Sequence, residues 1–230
     1  MNTVKRLLPL MCVIICLIFN IKANAHEIYY EQNSSGLTPI VLKWNPKIGN
    51  KCYLKLNADT LNRSGDFIKY ENAYDNVKNL WNNVGGLVSV YETDIETSNI
   101  DLATATEAAW SAYTNGDIYS ALGYNLKLST DNYQINSLAN AKICSGYIKY
   151  ASVIISPHIG EFGPLNSDEA TYMMRYTIVH ELGHVLCLGH SNDSRYYPSS
   201  AASVMRTYID EAIYYAPQNH DINDIINKYS

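Results

Sequence analysis

The residue types with the most specific chemistry lie in residues 180–190, which read HELGHVLCLGH. His180 and His184 are four positions apart, so on a helix both rings leave one face, separated by about 6 Å along the axis. This spacing lets both imidazoles bind one metal ion, and Glu181 can reach a water on its open coordination position. His190 supplies a third nitrogen if the helix ends and the chain folds back. Three protein ligands and one water predict a catalytic site with one Zn²⁺ ion, because structural zinc sites use four protein ligands.

A long helix over residues 167–188 is predicted to position the two histidines, since a polar cap and acidic residues precede the apolar run. Apolar residues at helical spacing predict a second helix over 67–81 and a short closing helix over 221–229. The pattern of apolar and turn-prone residues predicts strands at 40–44, 52–56, 87–91, 101–106 and 147–156. Residues 26–37 are predicted to form a loose arm, and most of 107–146 shows no clear pattern. Strands first and the motif helix last indicate an α+β fold.

The first 25 residues have the features of a secretory signal peptide. Lys5 and Arg6 precede an apolar run over 7–19, and Ala23-Asn24-Ala25 is typical of a cleavage site. The apolar run is too short for a membrane anchor. We therefore predict a signal peptide at 1–25, one catalytic domain at 26–230, and secretion to the extracellular space or periplasm with no membrane attachment after cleavage.

The charge of the chain limits its partners. Loss of the three basic residues Lys5, Arg6 and Lys22 with the signal peptide changes the formal charge from −5 to −8. An acidic chain without a basic run argues against nucleic acid or anionic lipid as a partner. The remaining length suits one domain with a sizeable core. We expect a monomer.

Three cysteines, Cys52, Cys144 and Cys187, follow the signal peptide. Export permits a disulfide, and Cys52–Cys144 is the pairing we predict because Cys187 lies within the metal motif. An odd number of cysteines leaves one thiol over. The alternative of three buried, reduced thiols stays open.

Ser203-Val204-Met205 follows the motif and places Met205 fifteen residues after His190. Together these residues resemble the metzincin clan of zinc endopeptidases, whose long motif is His-Glu-x-x-His-x-x-Gly-x-x-His followed by a Met-turn. Ser191 after the third histidine and the Ser-Val-Met turn are similar to the matrixin branch. The resemblance implies a stand-alone catalytic domain with a twisted mixed sheet, an active-site helix and a C-terminal helix. It also implies a hydrolase in which zinc is held by the three histidines, with Glu181 as the general base and Met205 as a hydrophobic floor.

The same resemblance implies a peptide or protein substrate and features of its binding. An extended substrate would lie along an edge strand, which we expect within residues 147–156, because strand addition is a general mode of peptide recognition. Residues 206–218 would form the wall of the pocket beyond the scissile bond, with Tyr208, Ile213, Tyr214 and Tyr215 as its aromatic and apolar members. Calcium is common in the family, although no site for Ca²⁺ can be located in the sequence. The alternative function is a catalytically inactive zinc-binding or protein-binding module on the same scaffold, against which the presence of Glu181 argues.

Cys187 departs from the family pattern, which has glycine at that position. Three interpretations stay open: Cys187 takes the left-handed geometry at a cost of roughly 1–2 kcal/mol, the helix runs on and ends at Gly189, or Cys187 is itself a ligand. On a straight helix Cys187 lies about 10 Å along the axis from His180, which disfavours shared ligation.

Overall fold

The fold is that of a computed structural model of the 230-residue chain. The structure describes residues 30–32, 39–41, 43–45, 49, 51–61, 68–93, 98–117, 123–129, 134–135, 147–159, 168–189, 203–206 and 216–230. The predicted signal peptide lies outside these residues. Among the helices within these ranges, none has both the length and the apolar character needed to cross a membrane.

Strands and helices are numbered in chain order. The strands are β1 (Tyr30–Gln32), β2 (Pro39–Val41), β3 (Cys52–Thr60), β4 (Val88–Glu92), β5 (Ile100–Thr104), β6 (Gly123–Ser129), β7 (Gln134–Ile135) and β8 (Tyr150–Ile155). The helices are α1 (Ile68–Val77), α2 (Glu107–Tyr113), α3 (Asp168–Val185) and α4 (Asn219–Tyr229).

The main sheet has six strands in the order β4-β3-β5-β8-β6-β7. The first four strands are mutually parallel, whereas β6 runs antiparallel to β8 and β7 runs antiparallel to β6. Strands β1 and β2 form a separate antiparallel pair. The fold is therefore α+β with a mixed sheet, as the sequence predicts.

One face of the sheet is buried beneath helices. In β3 the side chains of Cys52, Leu54 and Leu56 are buried, whereas Tyr53 is exposed and Lys55 half-buried, which is the period of two that a one-sided strand requires. Helix α3 packs against α1, β6 and β8. Its residues 176–183 are all buried, so this helix lies inside the core rather than on the surface.

Two tryptophan side chains fix helix α3 in place. The indole Nε1 of Trp81 donates to the backbone O of Val179 at 2.9 Å, and that of Trp44 donates to the O of Val185 at 2.8 Å. The second contact satisfies one of the carbonyls that a helix leaves without a partner at its C-terminus. Both rings are buried, so each anchor also contributes apolar packing.

Most predicted elements overlap an observed one, and the differences have identifiable causes. Helix α3 ends at Val185, three residues before the predicted end, because the chain reverses at Cys187. The arm predicted as loose contains strand β1. The unassigned region contains α2, β6 and β7. Strand β6 had a detectable signal, since its sequence GYNLKLS alternates apolar and polar residues.

Candidate metal centre

The two histidines of the motif lie one turn apart on the same side of helix α3. The ring centroids of His180 and His184 are 4.7 Å apart, and their planes are nearly perpendicular at 89°. His180 is buried and His184 is half-buried. Two of the three predicted ligands are therefore neighbours, whereas His190 lies outside the described residues. Within the described part of the chain, no three His, Cys, Asp or Glu side chains form a group that could hold a metal ion.

Backbone carbonyls fix the proton on the same nitrogen of each ring. Nδ1 of His180 lies 2.8 Å from the O of Val204, and Nδ1 of His184 lies 2.7 Å from the O of Leu188. A carbonyl oxygen can only accept, so each Nδ1 carries the hydrogen and donates it. In the neutral imidazole the lone pair then lies on Nε2. Metal-binding histidines are commonly oriented in this way, with the second nitrogen donating to a carbonyl or carboxylate.

Tyr176 provides a further contact to the first histidine. Its hydroxyl donates to the backbone O of Arg206 at 2.7 Å and lies 3.3 Å from Nδ1 of His180. The rings of Tyr176 and His180 also pack with centroids 5.4 Å apart. Sequence reasoning missed Tyr176, although its position four residues before His180 places it on the same helix face.

The backbone at the end of helix α3 shows which geometry Cys187 adopts. This residue has φ +65°, in the left-handed region. The N–H of Leu188 donates to the O of Gly183 at 3.1 Å, and the N–H of Cys187 donates to the O of His184 at 2.8 Å. These two bonds form a Schellman helix end, whose left-handed position is usually glycine. Cys187 therefore takes the left-handed geometry, and the helix does not continue to Gly189.

The chain reversal at Cys187 also positions the backbone acceptor of His184. Because the left-handed residue turns the backbone back, the O of Leu188 comes within 2.7 Å of Nδ1 of His184. The side chain of Cys187 is fully buried, and its Sγ lies 3.8 Å from the backbone O of Val185. The strained position is thus part of the support of the second histidine.

Met205 packs directly against the helix between the two histidines. An ideal Cβ built on Gly183 would overlap with Sδ of Met205 and lie 3.1 Å from Cζ2 of Trp81. Contacts below 3.0 Å are essentially never made by real Cβ atoms, so residue 183 must be glycine while Met205 keeps this position. Met205 is fully buried, which places it as an apolar support beneath the helix.

A buried carboxylate at the start of helix α4 holds the turn at 203–205. Asp221 accepts hydrogen bonds from Oγ of Ser203 at 2.5 Å and from the backbone N–H of Val204 at 3.0 Å and of Gln218 at 2.8 Å. Oγ of Ser203 in turn accepts from the N–H of Met205 at 2.9 Å. Since the O of Val204 accepts from His180, the last helix is linked to the first histidine through this turn.

Burial and hydrogen bonding act in opposite directions on the pKa of Asp221. The side chain is fully buried, and this burial raises its pKa, while the hydrogen bonds from Ser203, Gln218 and Val204 lower it. Sequence reasoning placed Asp221 only at a helix start and missed its link to the turn. The available signal was an acidic residue three positions after the N-cap Gln218, where the carboxylate of Asp221 accepts from the backbone N–H of Gln218.

Glu181, the predicted general base, is buried between helix α3 and strand β6. The side chain is 6% exposed. The side chain lies against Gly123 of the strand, where an ideal Cβ would lie 2.6 Å from Cγ of Glu181 and 2.9 Å from Oε1. The carboxylate therefore lies against the backbone at the first residue of β6.

The remaining predicted residues lie mostly outside the described part of the chain. These are the predicted ligand His190, the pocket residues Tyr208, Ile213, Tyr214 and Tyr215, and Cys144. Cys52 is a buried thiol whose Sγ lies 3.5 Å from the O of Trp44, and burial raises its pKa from 9.0 to about 11. The pairing of Cys52 with Cys144 stays a prediction.

Comparison with known proteins adds no relative from which a function could be transferred. The chain matches no protein-family model, and a search of curated proteins finds no similar sequence. The function is therefore inferred from the residues of the site and their geometry.

Proposed function

We propose that the chain is a secreted zinc endopeptidase of the metzincin type, similar to the matrixins. The observation that carries this proposal is the pair of helical histidines whose Nδ1 atoms both donate to backbone carbonyls, with Glu181 between them. The position of Met205 under the same helix and the α+β fold with a closing helix support it further. The metzincin fold itself is part of the proposal.

The donor chemistry of the site fits a zinc ion. Two neutral imidazoles that donate from Nδ1 have Nε2 as the donor atom for a metal, which is the nitrogen set that zinc prefers. His180 and His184 would hold the ion together with His190. When bound, zinc supplies Lewis acidity, which polarises a peptide carbonyl and brings the pKa of water toward neutrality.

Glu181 would move the proton during hydrolysis. Its carboxylate would accept a proton from the attacking water and then transfer it to the leaving amine, which is the usual task of a general base followed by a general acid. The burial of Glu181 supports this role, because a carboxylate shielded from solvent is held in one place.

Peptide substrate would pair with the outer edge of strand β6. The sequence-based expectation of an edge strand within 147–156 is wrong, since β8 is hydrogen-bonded to β5 on one side and β6 on the other. Strand β7 pairs with β6 only at Leu128 and Ser129. Residues 123–127 thus present an edge without a partner strand among the described residues, beside Glu181 and suited to strand addition.

Glu181→Gln tests the mechanism. We expect the variant to keep stoichiometric zinc and to lose peptide hydrolysis by several orders of magnitude, because the amide cannot accept the proton. Zinc content would be measured by atomic absorption and turnover with a quenched-fluorescence peptide library. Glu92→Gln, on strand β4 at the far edge of the sheet, is the matched control and should keep full activity. Unchanged turnover in Glu181→Gln would refute the role of this residue.

The alternative function is a zinc-binding or protein-binding module without catalysis. The same assays separate the two, because the module would bind zinc and cleave no peptide in the library. Absence of bound zinc would argue against both. Export can be tested separately by N-terminal sequencing of the expressed protein, for which we expect a mature chain that begins at His26.

A further inference from the structure

The contact between Glu181 and Gly123 is unusually specific. The three atoms closest to an ideal Cβ on Gly123 all belong to Glu181: Cγ at 2.6 Å, Oε1 at 2.9 Å and Cδ at 3.0 Å. Any side chain at position 123 would therefore meet the carboxylate arm of one residue and require it to shift. The close approach, rather than the backbone conformation, requires glycine, because φ of Gly123 lies outside the left-handed region that other residues avoid.

The position of Gly123 in the sheet makes this contact relevant to catalysis. Gly123 is the first residue of β6 and pairs with Ile155 at the end of β8. Its backbone thus belongs to the strand that carries the proposed peptide-binding edge, and the side chain of Glu181 lies against it. The strand that would receive the substrate is also the surface on which the carboxylate rests.

We propose that Gly123 is a positioning residue for Glu181, which leaves the space that the carboxylate occupies and thereby sets its place relative to a peptide on β6. This inference rests on the proposed function. An ordinary van der Waals contact needs about 3.4 Å or more, so a Cβ at 2.6 Å displaces the side chain by several tenths of an ångström. A misplacement of about 1 Å can reduce a rate by roughly 100-fold.

Gly123→Ala tests the inference through kinetics. We expect kcat to fall by roughly 10- to 100-fold with little change in KM and with full zinc content, because the base moves while the ligands do not. If residue 123 only shaped the peptide-binding edge, KM would rise and kcat would stay unchanged. That result, or unchanged kcat, would overturn the positioning role.

A double-mutant cycle on stability gives a second readout that does not depend on activity. Gly123→Ala should lower Tm by about 5 °C in the wild-type chain, where the new methyl group meets Glu181. In the Glu181→Ala chain the opposing atoms are gone, so the same change should leave Tm unchanged or raise it slightly. Equal losses in both chains, or failure of both to fold, would show that the methyl group meets something else and would overturn the inference.

The two proposals fail in different ways. A wild-type chain that binds zinc and cleaves no peptide would refute the endopeptidase function, and the positioning role would fall with it even if the stability cycle behaved as expected. An active wild type with an equally active Gly123→Ala variant would refute the positioning role alone.

Discussion

Replacing Lys228 with methionine should stabilise the protein at neutral pH. Lys228 is 7% exposed, and its Nζ has no hydrogen-bond partner among the described residues. Its pKa is lowered from 10.5 to about 8, chiefly by burial; the nearby Lys43 also lowers it, whereas Cys187 and Asp224 oppose the shift. Folding therefore disfavours the charged form, and the structure retains a buried ammonium group at the end of helix α4. Methionine has a similar length and adapts readily to an apolar environment.

The magnitude follows from the two pKa values. The difference between 10.5 and about 8 corresponds, at about 1.4 kcal/mol per pH unit, to a penalty of about 3 kcal/mol below pH 8. A positive charge near a helix C-terminus is favourable by up to about 2 kcal/mol in a partly buried geometry, and methionine loses this contribution. The free energy of unfolding at pH 7 should therefore rise by about 1–3 kcal/mol in Lys228→Met.

The pH dependence has a definite sign. Between pH 8 and 10.5 the unfolded chain keeps the Lys228 proton and the folded chain has lost it, so this group makes stability rise with pH in that window. Cys52 acts oppositely between pH 9 and about 11, because its folded pKa is raised and the unfolded chain loses the thiol proton first. Both chains contain Cys52, so its contribution cancels when the free energy of unfolding of wild type is subtracted from that of Lys228→Met. This difference should be constant below pH 8 and disappear near pH 10.5.

Urea unfolding followed by tryptophan fluorescence provides the measurement, since Trp44, Trp81 and Trp110 are all buried. Both chains should be compared without zinc, because metal binding adds its own pH-dependent stability. Lys78→Met is the matched control: its ammonium group pairs with Asp75 at 2.8 Å and Glu92 at 3.0 Å, so its loss should destabilise by at most about 1 kcal/mol. A less stable Lys228→Met chain at pH 7, or a difference that does not vary with pH, would refute the reasoning.

Three further predictions concern the residues that hold His180 and His184 in place. Cys187→Gly should be more stable than Cys187→Ala by about 1 kcal/mol, because only glycine relieves the left-handed geometry; equal urea midpoints would contradict this. Asp221→Asn should weaken zinc affinity by roughly 10- to 100-fold in a chelator competition, since an amide cannot accept all the bonds that hold the turn. Unchanged affinity would show that the turn keeps its place without the carboxylate. Gly183→Ala should destabilise the wild-type chain by about 1–3 kcal/mol, measured by thermal unfolding. The same substitution should destabilise a Met205→Ala chain much less, because the opposing side chain is shorter.

Local spacing predicted much of this molecule because local geometry determines it. The four-residue separation of His180 and His184 is a property of any helix, and the apolar periodicity of the strands follows from a sheet with one buried face. The end of helix α3 was foreseen only as an alternative, since the sequence shows that Cys187 replaces glycine but not whether the fold tolerates the strain. Short or weakly patterned elements such as α2, whose cap is Thr106, were missed because their signals extend over too few residues.

Contacts between distant parts of the chain could not be predicted in this way. The indole of Trp44 reaches the carbonyl of Val185 across 141 residues, and Ser203 reaches Asp221 across 18. Neither pair repeats with a helical or strand period, so no local pattern indicates it. The contact of Gly123 with Glu181 was invisible for a further reason: what matters at position 123 is a missing side chain, and a glycine in a sequence does not name the residue that occupies its space.

His180 and His184 are held largely by backbone atoms, and this determines which residues control the orientation of their rings. The acceptors for the two histidines are the carbonyls of Val204 and Leu188, which every amino acid at those positions would also supply. Their positions depend on the path of the chain, which the left-handed Cys187 sets for Leu188 and the carboxylate of Asp221 sets for Val204. Apolar substitutions at the two acceptor positions should therefore disturb the proposed zinc binding less than changes at Cys187 or Asp221 that alter the backbone.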